Sequence, residues 1–195
     1  MNRNIILGAG TGRCGTMSFA RVINNCKSTN ITHEMGPILP YKKDYDIYKE
    51  YLDNLLRKEG KYIGDVSGYT RNYIEDFIRD VPNIKIIWIT RDNEKTINSM
   101  KKKEDIDLFA DDTSHPFSKT RPTWTHINNA TEIFVEVENK RAEELMHKFP
   151  ANFKIFDVEE LNSKEGQDKI FDWYEIPKKD RVYTKNSRYN VGLNQ

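Results

Sequence analysis

Apolar residues along this chain follow two alternating rhythms. In short runs nearly every position is apolar, and in longer stretches apolar residues recur every three or four positions. The short runs Asn4–Leu7, Ile31–His33, Tyr62–Asp65, Ile84–Thr90 and Phe153–Phe156 predict strands. Ile84, Ile86, Ile87, Trp88 and Ile89 are apolar on both faces of their strand, as in the interior of a parallel sheet. Phe19, Val22, Ile23 and Cys26 fall at i, i+3, i+4 and i+7 and form one helical stripe. Tyr48, Tyr51, Leu52, Leu55 and Leu56 form another, and Ile74, Phe77 and Ile78 a third. A longer helix is predicted from about Thr125 to Phe149, with Phe134, Val137, Leu145 and Phe149 near one face. Ile170, Phe171 and Tyr174 mark a last helix, ended by Pro177. Such alternation predicts an α/β fold in three layers, a central parallel sheet of about five strands flanked by helices, with right-handed crossovers.

Composition refines this picture. The 195 residues suit one domain, 1–195, and no repeat or Pro/Gly/Ser linker divides them. Apolar residues make up 37% and charged residues 31%, a balance near that of disordered chains. Aromatic residues at 11% reverse that inference, because each buries a large area and they fall at regular spacing. The formal charge is +1, without the one-sided basic excess of a duplex binder, so no nucleic-acid partner is expected. Lys101, Lys102 and Lys103 form the one tight basic run, read as a solvated helix end. The apolar run Ile5-Ile6-Leu7 stops at Gly8, too short for a signal peptide, and no stretch approaches a membrane span. Two cysteines, Cys14 and Cys26, fit a reducing compartment, and a cytoplasmic location is expected. Residues 104–124 and 178–195 show no firm period and are the expected place of substrate selection.

The chemistry concentrates in two segments. Leu7-Gly8-Ala9-Gly10-Thr11-Gly12-Arg13-Cys14-Gly15-Thr16-Met17-Ser18 follows a predicted strand and opens a helix. Glycines let the backbone approach a ligand, and a helix start offers unpaired N–H groups and a positive dipole end. Four glycines, an arginine and two hydroxyls there point to a phosphate or sulfate site. A Walker A loop is disfavoured, since Gly10 and Gly15 fit its spacing but Thr16 stands where its lysine belongs. Gly10, Gly12 and Gly15 match a Rossmann fingerprint, and Glu34 lies at a suitable distance to hold a ribose. An NAD(P)-dependent oxidoreductase therefore stays open on this segment alone. A Cys-x5-Arg phosphatase loop fails, because six residues separate Cys14 from Arg21. The second segment, Arg91-Asp92-Asn93-Glu94-Lys95-Thr96-Ile97-Asn98-Ser99, follows the strand Ile84–Thr90. It sets Arg91 at the sheet edge where α/β proteins bind ligands, and Ser99 two turns into a helix.

Together these segments resemble the sulfotransferase family, a P-loop NTPase-like fold. Gly12-Arg13-Cys14-Gly15-Thr16 resembles that family's 5′-phosphosulfate loop, and Arg91 with Ser99 resembles its 3′-phosphate site. Gly64-Asp65-Val66-Ser67 and Phe156-Asp157-Val158-Glu159-Glu160-Leu161 are also similar to stretches of such enzymes, so the resemblance runs from about residue 4 to about residue 177. It implies the donor PAPS (3′-phosphoadenosine 5′-phosphosulfate, leaving PAP), no metal, and a small-molecule or glycan acceptor. Arg13 would contact the bridging and sulfuryl oxygens, while Gly15 and Thr16 would hold the 5′-phosphate. Met17 stands where the family often has a hydroxyl or small residue, and Ser18 is the candidate to compensate. Asn93 replaces the usual proline after Arg-Asp. The late Arg-Lys-Gly loop of cytosolic members is missing, with Lys185, Arg188 and Asn190 as candidate substitutes.

Sulfuryl transfer is an in-line displacement at a loose, charge-bearing centre and also needs a base for the acceptor proton. A guanidinium stays charged and offers several donors, which fits Arg13 to the charge. His33 and Glu34 follow the second predicted strand, and the resemblance favours Glu34 as base, with His33 as the alternative. Burial is expected to raise the Glu34 carboxyl toward neutrality. Asp65 and Ser67, after the third strand, and His115, Arg121 and Trp124, in the loop Ser114–Trp124, are candidate acceptor contacts. A module that binds PAP without chemistry is the remaining alternative.

Overall fold

The computed structural model describes residues 3–102, 122 and 129–185. His115, Arg121, Trp124, Arg188 and Asn190 lie outside the described residues, as does the predicted helix start at 125–128. The chain runs β1 (Asn4–Ala9), α1 (Thr16–Asn24), β2 (Thr29–His33), α2 (Tyr45–Leu56) and β3 (Tyr62–Val66). A 3-10 segment, Gly68–Tyr73, leads into α3 (Ile74–Asp80), β4 (Lys85–Thr90), α4 (Asn93–Lys101) and α5 (Ala130–Lys148). Then come β5 (Phe153–Asp157), the 3-10 turn Val158–Asn162 and α6 (Lys164–Trp173). No helix among the described residues is long and apolar enough to cross a membrane.

All four strand pairings are parallel, in the order β2-β3-β1-β4-β5. Strand period two divides the core. Ile6, Ile87 and Ile89 face a cluster with Phe19, Val22 and Ile23 of α1 and Ile170 and Phe171 of α6. Leu7, Ile86 and Trp88 face the opposite layer, with Tyr51 and Leu55 of α2, Phe77 of α3 and Leu145 of α5. This two-sided burial is why the β4 sequence reads apolar at nearly every position. The three-layer α/β expectation holds. Every predicted strand is present, and three of them extend one or two residues further toward the carboxyl edge, to Ala9, Val66 and Asp157.

Two helical stripes differ from the sequence expectation. Val137 is 49% exposed, and α5 instead buries Phe134, Val135, Glu138, Ala142 and Leu145. The inward face is shifted because Glu138 turns toward the buried Arg71, Oε2 to Nε 3.9 Å. Leu56, at the end of α2, is 41% exposed and lies past the packed part of its helix.

Helix starts are treated unequally. Asp44 accepts from the N–H groups of Asp46 and Ile47 at α2, Asp92 from that of Lys95 at α4, and Ser163 from that of Gly166 at α6. At α1 the N-cap is Gly15, and no side chain caps the helix. Its first-turn donors face the edge where the strands end.

Candidate anion site at the carboxyl edge of the sheet

Because β1 lies between β3 and β4, the glycine loop after β1 emerges beside the ends of both. The loop is built of left-handed residues: Gly12 has φ 85°, Arg13 φ 58° and Gly15 φ 104°. A turn of this kind points successive backbone N–H groups into one concavity, which suits an anion. Arg13 occupies the left-handed region without being glycine, at a cost of about 1–2 kcal/mol. Glycine is required at Gly10, where a Cβ would lie 2.6 Å from Cys14 Sγ and 2.9 Å from the Ile89 carbonyl oxygen. Cys14 packs beneath the loop at 1% exposure, and burial pushes its thiol up, so it is a protonated packing residue.

The two sequence motifs meet here. Arg13 Nε donates to Ser99 Oγ at 3.3 Å, across 86 residues of chain. An Arg91 guanidinium N–H donates to the Arg13 carbonyl oxygen at 3.5 Å. Two guanidinium groups and a hydroxyl thus share one edge with the uncapped start of α1. Asn93 accepts from Asn139 of α5 at 2.9 Å, so it ties the α4 turn to its neighbour.

Thr16 and His33 are joined as well, Oγ1 to Nε2 3.0 Å, which links the helix start to the end of β2. Nothing in the sequence signalled this pair. Met17 lines an open cavity of about 320 Å³ together with Ala20, Arg21, Asn24, Ile31 and His33. Ser18 is buried in the first turn of α1.

Glu34 follows β2 in a left-handed conformation, φ 58°, with its side chain exposed. The expected burial of this carboxyl is not found, because β2 is the edge strand and its last residues open to solvent. Asp65 is 0% exposed, so it lines no open surface. Its Oδ1 accepts from Thr32 Oγ1 at 2.7 Å and from Met35 N–H at 3.1 Å, and its Oδ2 accepts from the Tyr51 hydroxyl at 2.7 Å. Ser67 is also buried, its hydroxyl oxygen accepting from the Tyr69 N–H at 3.0 Å to start the 3-10 segment. Lys185 is exposed, just beyond Thr184, whose backbone is tied to the Gln167 side chain at 2.8 and 3.0 Å.

Strand order also bears on the Rossmann alternative. In that fold the second strand lies beside the first, so an acidic residue at its end reaches a ribose held at the first loop. Here β3 separates β2 from β1, and Glu34 follows an edge strand. The literal Gly10, Gly12, Gly15 and Glu34 match therefore lacks the geometry that gives it meaning.

No protein-family model matches the chain, and no curated protein matches its sequence. Among solved structures, the fold is similar to a sulfotransferase from Alicyclobacillus acidocaldarius, with TM-score 0.62 and 13% identity over 95% of this chain and 86% of that one. It is also similar to mouse sulfotransferase SULT7A1 complexed with PAP, with TM-score 0.50 and 16% identity over 91% of this chain and 61% of that one. At these identities the likeness establishes a shared P-loop-like α/β fold.

Proposed function

We propose that the chain is a PAPS-dependent sulfotransferase that moves a sulfuryl group to a hydroxyl or amine acceptor, residues 1–195 forming one such domain in the cytoplasm. The observation that carries this reading is the meeting of Arg13 with Ser99 and Arg91 at one strand edge. A nucleotide with phosphates at both its 5′ and 3′ ends needs two anion sites side by side, and a fold shared with sulfotransferases supports the assignment. In this reading Gly12, Arg13, Cys14, Gly15, Thr16, Met17 and Ser18 form the 5′ segment, and the start of α1 with Thr16 receives the 5′-phosphate. Arg91 and Ser99 receive the 3′-phosphate. Arg13, between them, stabilises charge on the leaving and sulfuryl oxygens, where a fixed guanidinium acts most strongly.

The Thr16–His33 contact favours Glu34 as the base. A phosphate oxygen only accepts, so the single Thr16 hydroxyl proton must point at it. His33 Nε2, 3.0 Å from that hydroxyl, must then donate, so the ring nitrogen beside Thr16 is not the one that takes a proton from an acceptor. His33 orients Thr16, and Glu34 is left free and exposed to receive the acceptor proton. Glu34→Gln should lower the transfer rate by roughly 10²–10⁴, the usual share of a general base, with PAP affinity retained. His33→Gln, which keeps a donor at the Nε2 position, should retain transfer. The acceptor is read as a polar small molecule or glycan.

Calorimetric titration of PAP, with ATP and NAD as controls, tests the reading on wild type and Arg91→Ala. Losing one charge-assisted phosphate contact costs about 2 kcal/mol or more, roughly 30-fold in affinity. PAP binding that weakens by that factor supports the site and justifies an acceptor screen with labelled PAPS. Binding of NAD or ATP in place of PAP overturns it, and PAP binding without transfer to any acceptor leaves a binding module.

A further inference from the structure

The backbone under Glu34 has to be held. A glutamate at φ 58° is in a region that L residues avoid, and the exposed turn it shares with Met35 has to be held as well. Two hydrogen bonds do this. Glu34 N–H donates to the Val66 carbonyl at 3.2 Å, and Met35 N–H donates to Asp65 Oδ1 at 3.1 Å. Asp65 is fully buried on β3, paired in register with Thr32 of β2.

A buried carboxylate is tolerated only when its oxygens are satisfied. Thr32, Met35 and the Tyr51 hydroxyl all donate to Asp65. Lys58 Nζ completes the cluster, donating to Thr32 Oγ1 at 3.0 Å and to the Gly64 carbonyl at 2.8 Å. The proton count is consistent, since the Thr32 hydroxyl gives its one proton to Asp65 and accepts from Lys58. Burial, with the Asp65 charge beside it, pushes the Tyr51 hydroxyl well up, so Tyr51 stays a donor. Two of these bonds, from Thr32 and Tyr51, lock Asp65 itself. The third, from Met35, reaches the turn that carries Glu34.

We infer that Asp65 is a positioning residue for sulfuryl transfer, its buried carboxylate holding the Glu34–Met35 turn so that Glu34 meets the acceptor hydroxyl. This rests on the proposed reading of Glu34 as the base. Asp65 touches neither donor nor acceptor, so its loss should reduce the transfer rate and leave nucleotide binding alone.

The test is a double-mutant cycle read by single-turnover transfer from labelled PAPS, with PAP affinity measured in each variant. Asp65→Ala should slow wild type by about 30-fold, with PAP affinity within about twofold, and should slow the Glu34→Gln variant by less than about twofold. Asp65→Asn keeps the acceptor oxygen for Met35 and should recover the rate to within about threefold of wild type. If Asp65→Ala fails to fold, Asp65→Asn carries the cycle alone. It is then expected to slow wild type about threefold and leave Glu34→Gln unchanged. Equal slowing in both backgrounds, or lost PAP affinity in a folded variant, overturns the positioning role while the sulfotransferase reading stands. Glu34→Gln at the wild-type rate removes the base and this inference together, and wild type that binds no PAP removes the reading on which both rest.

Discussion

Gly15 is where loop geometry and core packing press on the same atom. Its φ of 104° lies in a region that L side chains rarely adopt, and a methyl there would overlap Val158 Cγ2 of the turn after β5. Gly15→Ala therefore incurs two separate costs. The backbone share is about 1–2 kcal/mol, and the steric share about 1–3 kcal/mol because Val158 is only partly buried and can shift. For a chain of 195 residues each kcal/mol moves the melting temperature by roughly 2–4 °C, so Gly15→Ala should melt about 4–20 °C below wild type. Adding Val158→Ala removes the overlap and leaves the backbone share, so the double variant should lie above Gly15→Ala once the cost of Val158→Ala alone is subtracted. Thermal unfolding followed by circular dichroism, under conditions where it is reversible, measures all four proteins. A Gly15→Ala melting point within about 2 °C of wild type would refute the reasoning, and additivity of the two substitutions would refute its steric half.

Other substitutions test the fold and its electrostatics. Tyr174→Phe removes a buried hydroxyl that donates to the Leu7 carbonyl at 2.9 Å and should cost about 1 kcal/mol in urea unfolding, whereas an unchanged midpoint would show that bond to be idle. Glu138→Leu takes the carboxylate from beside the buried Arg71 guanidinium and should destabilise by about 3 kcal/mol, with wild-type stability the contrary result. The Asp168 carboxyl is held below its usual value by the Tyr183 hydroxyl and by Arg181, so its contribution is present above about pH 4 and lost as pH falls through its lowered value. Asp168→Asn should therefore be less stable than wild type at pH 7 and converge with it near about pH 2, while a gap that persists in acid would refute the assignment.

What the sequence reveals of this fold is what depends on local pattern. The β4 run is legible because both of its faces are buried, and the uncapped start of α1 is legible because no Ser, Thr, Asp or Asn stands at Gly15. What it hides depends on neighbours. Glu138 lies in a charged stretch of α5, and only the buried Arg71 from another element explains why it turns inward while Val137 faces solvent. Asp65 reads as an edge residue by position, yet Tyr51 and Thr32 surround it in the interior. The burial expected for Glu34 fails for the same reason, since nothing local says that β2 lies at the edge.

Strand order decides how the two motifs can act together. Gly10, Gly12 and Gly15 suit a Rossmann loop and a phosphosulfate loop equally well, and the difference lies in which strand borders β1. Because β4 borders it on one side, Arg91 reaches the backbone of Arg13 across 78 residues, and the Arg13 side chain reaches Ser99. Because β3 borders it on the other, β2 is displaced to the edge, and the side chain of His33 must span to Thr16. One insertion of β3 therefore has two consequences. It removes Glu34 from the place where a ribose would be gripped, and it leaves Glu34 on an open turn that Asp65, from the inserted strand itself, holds in place.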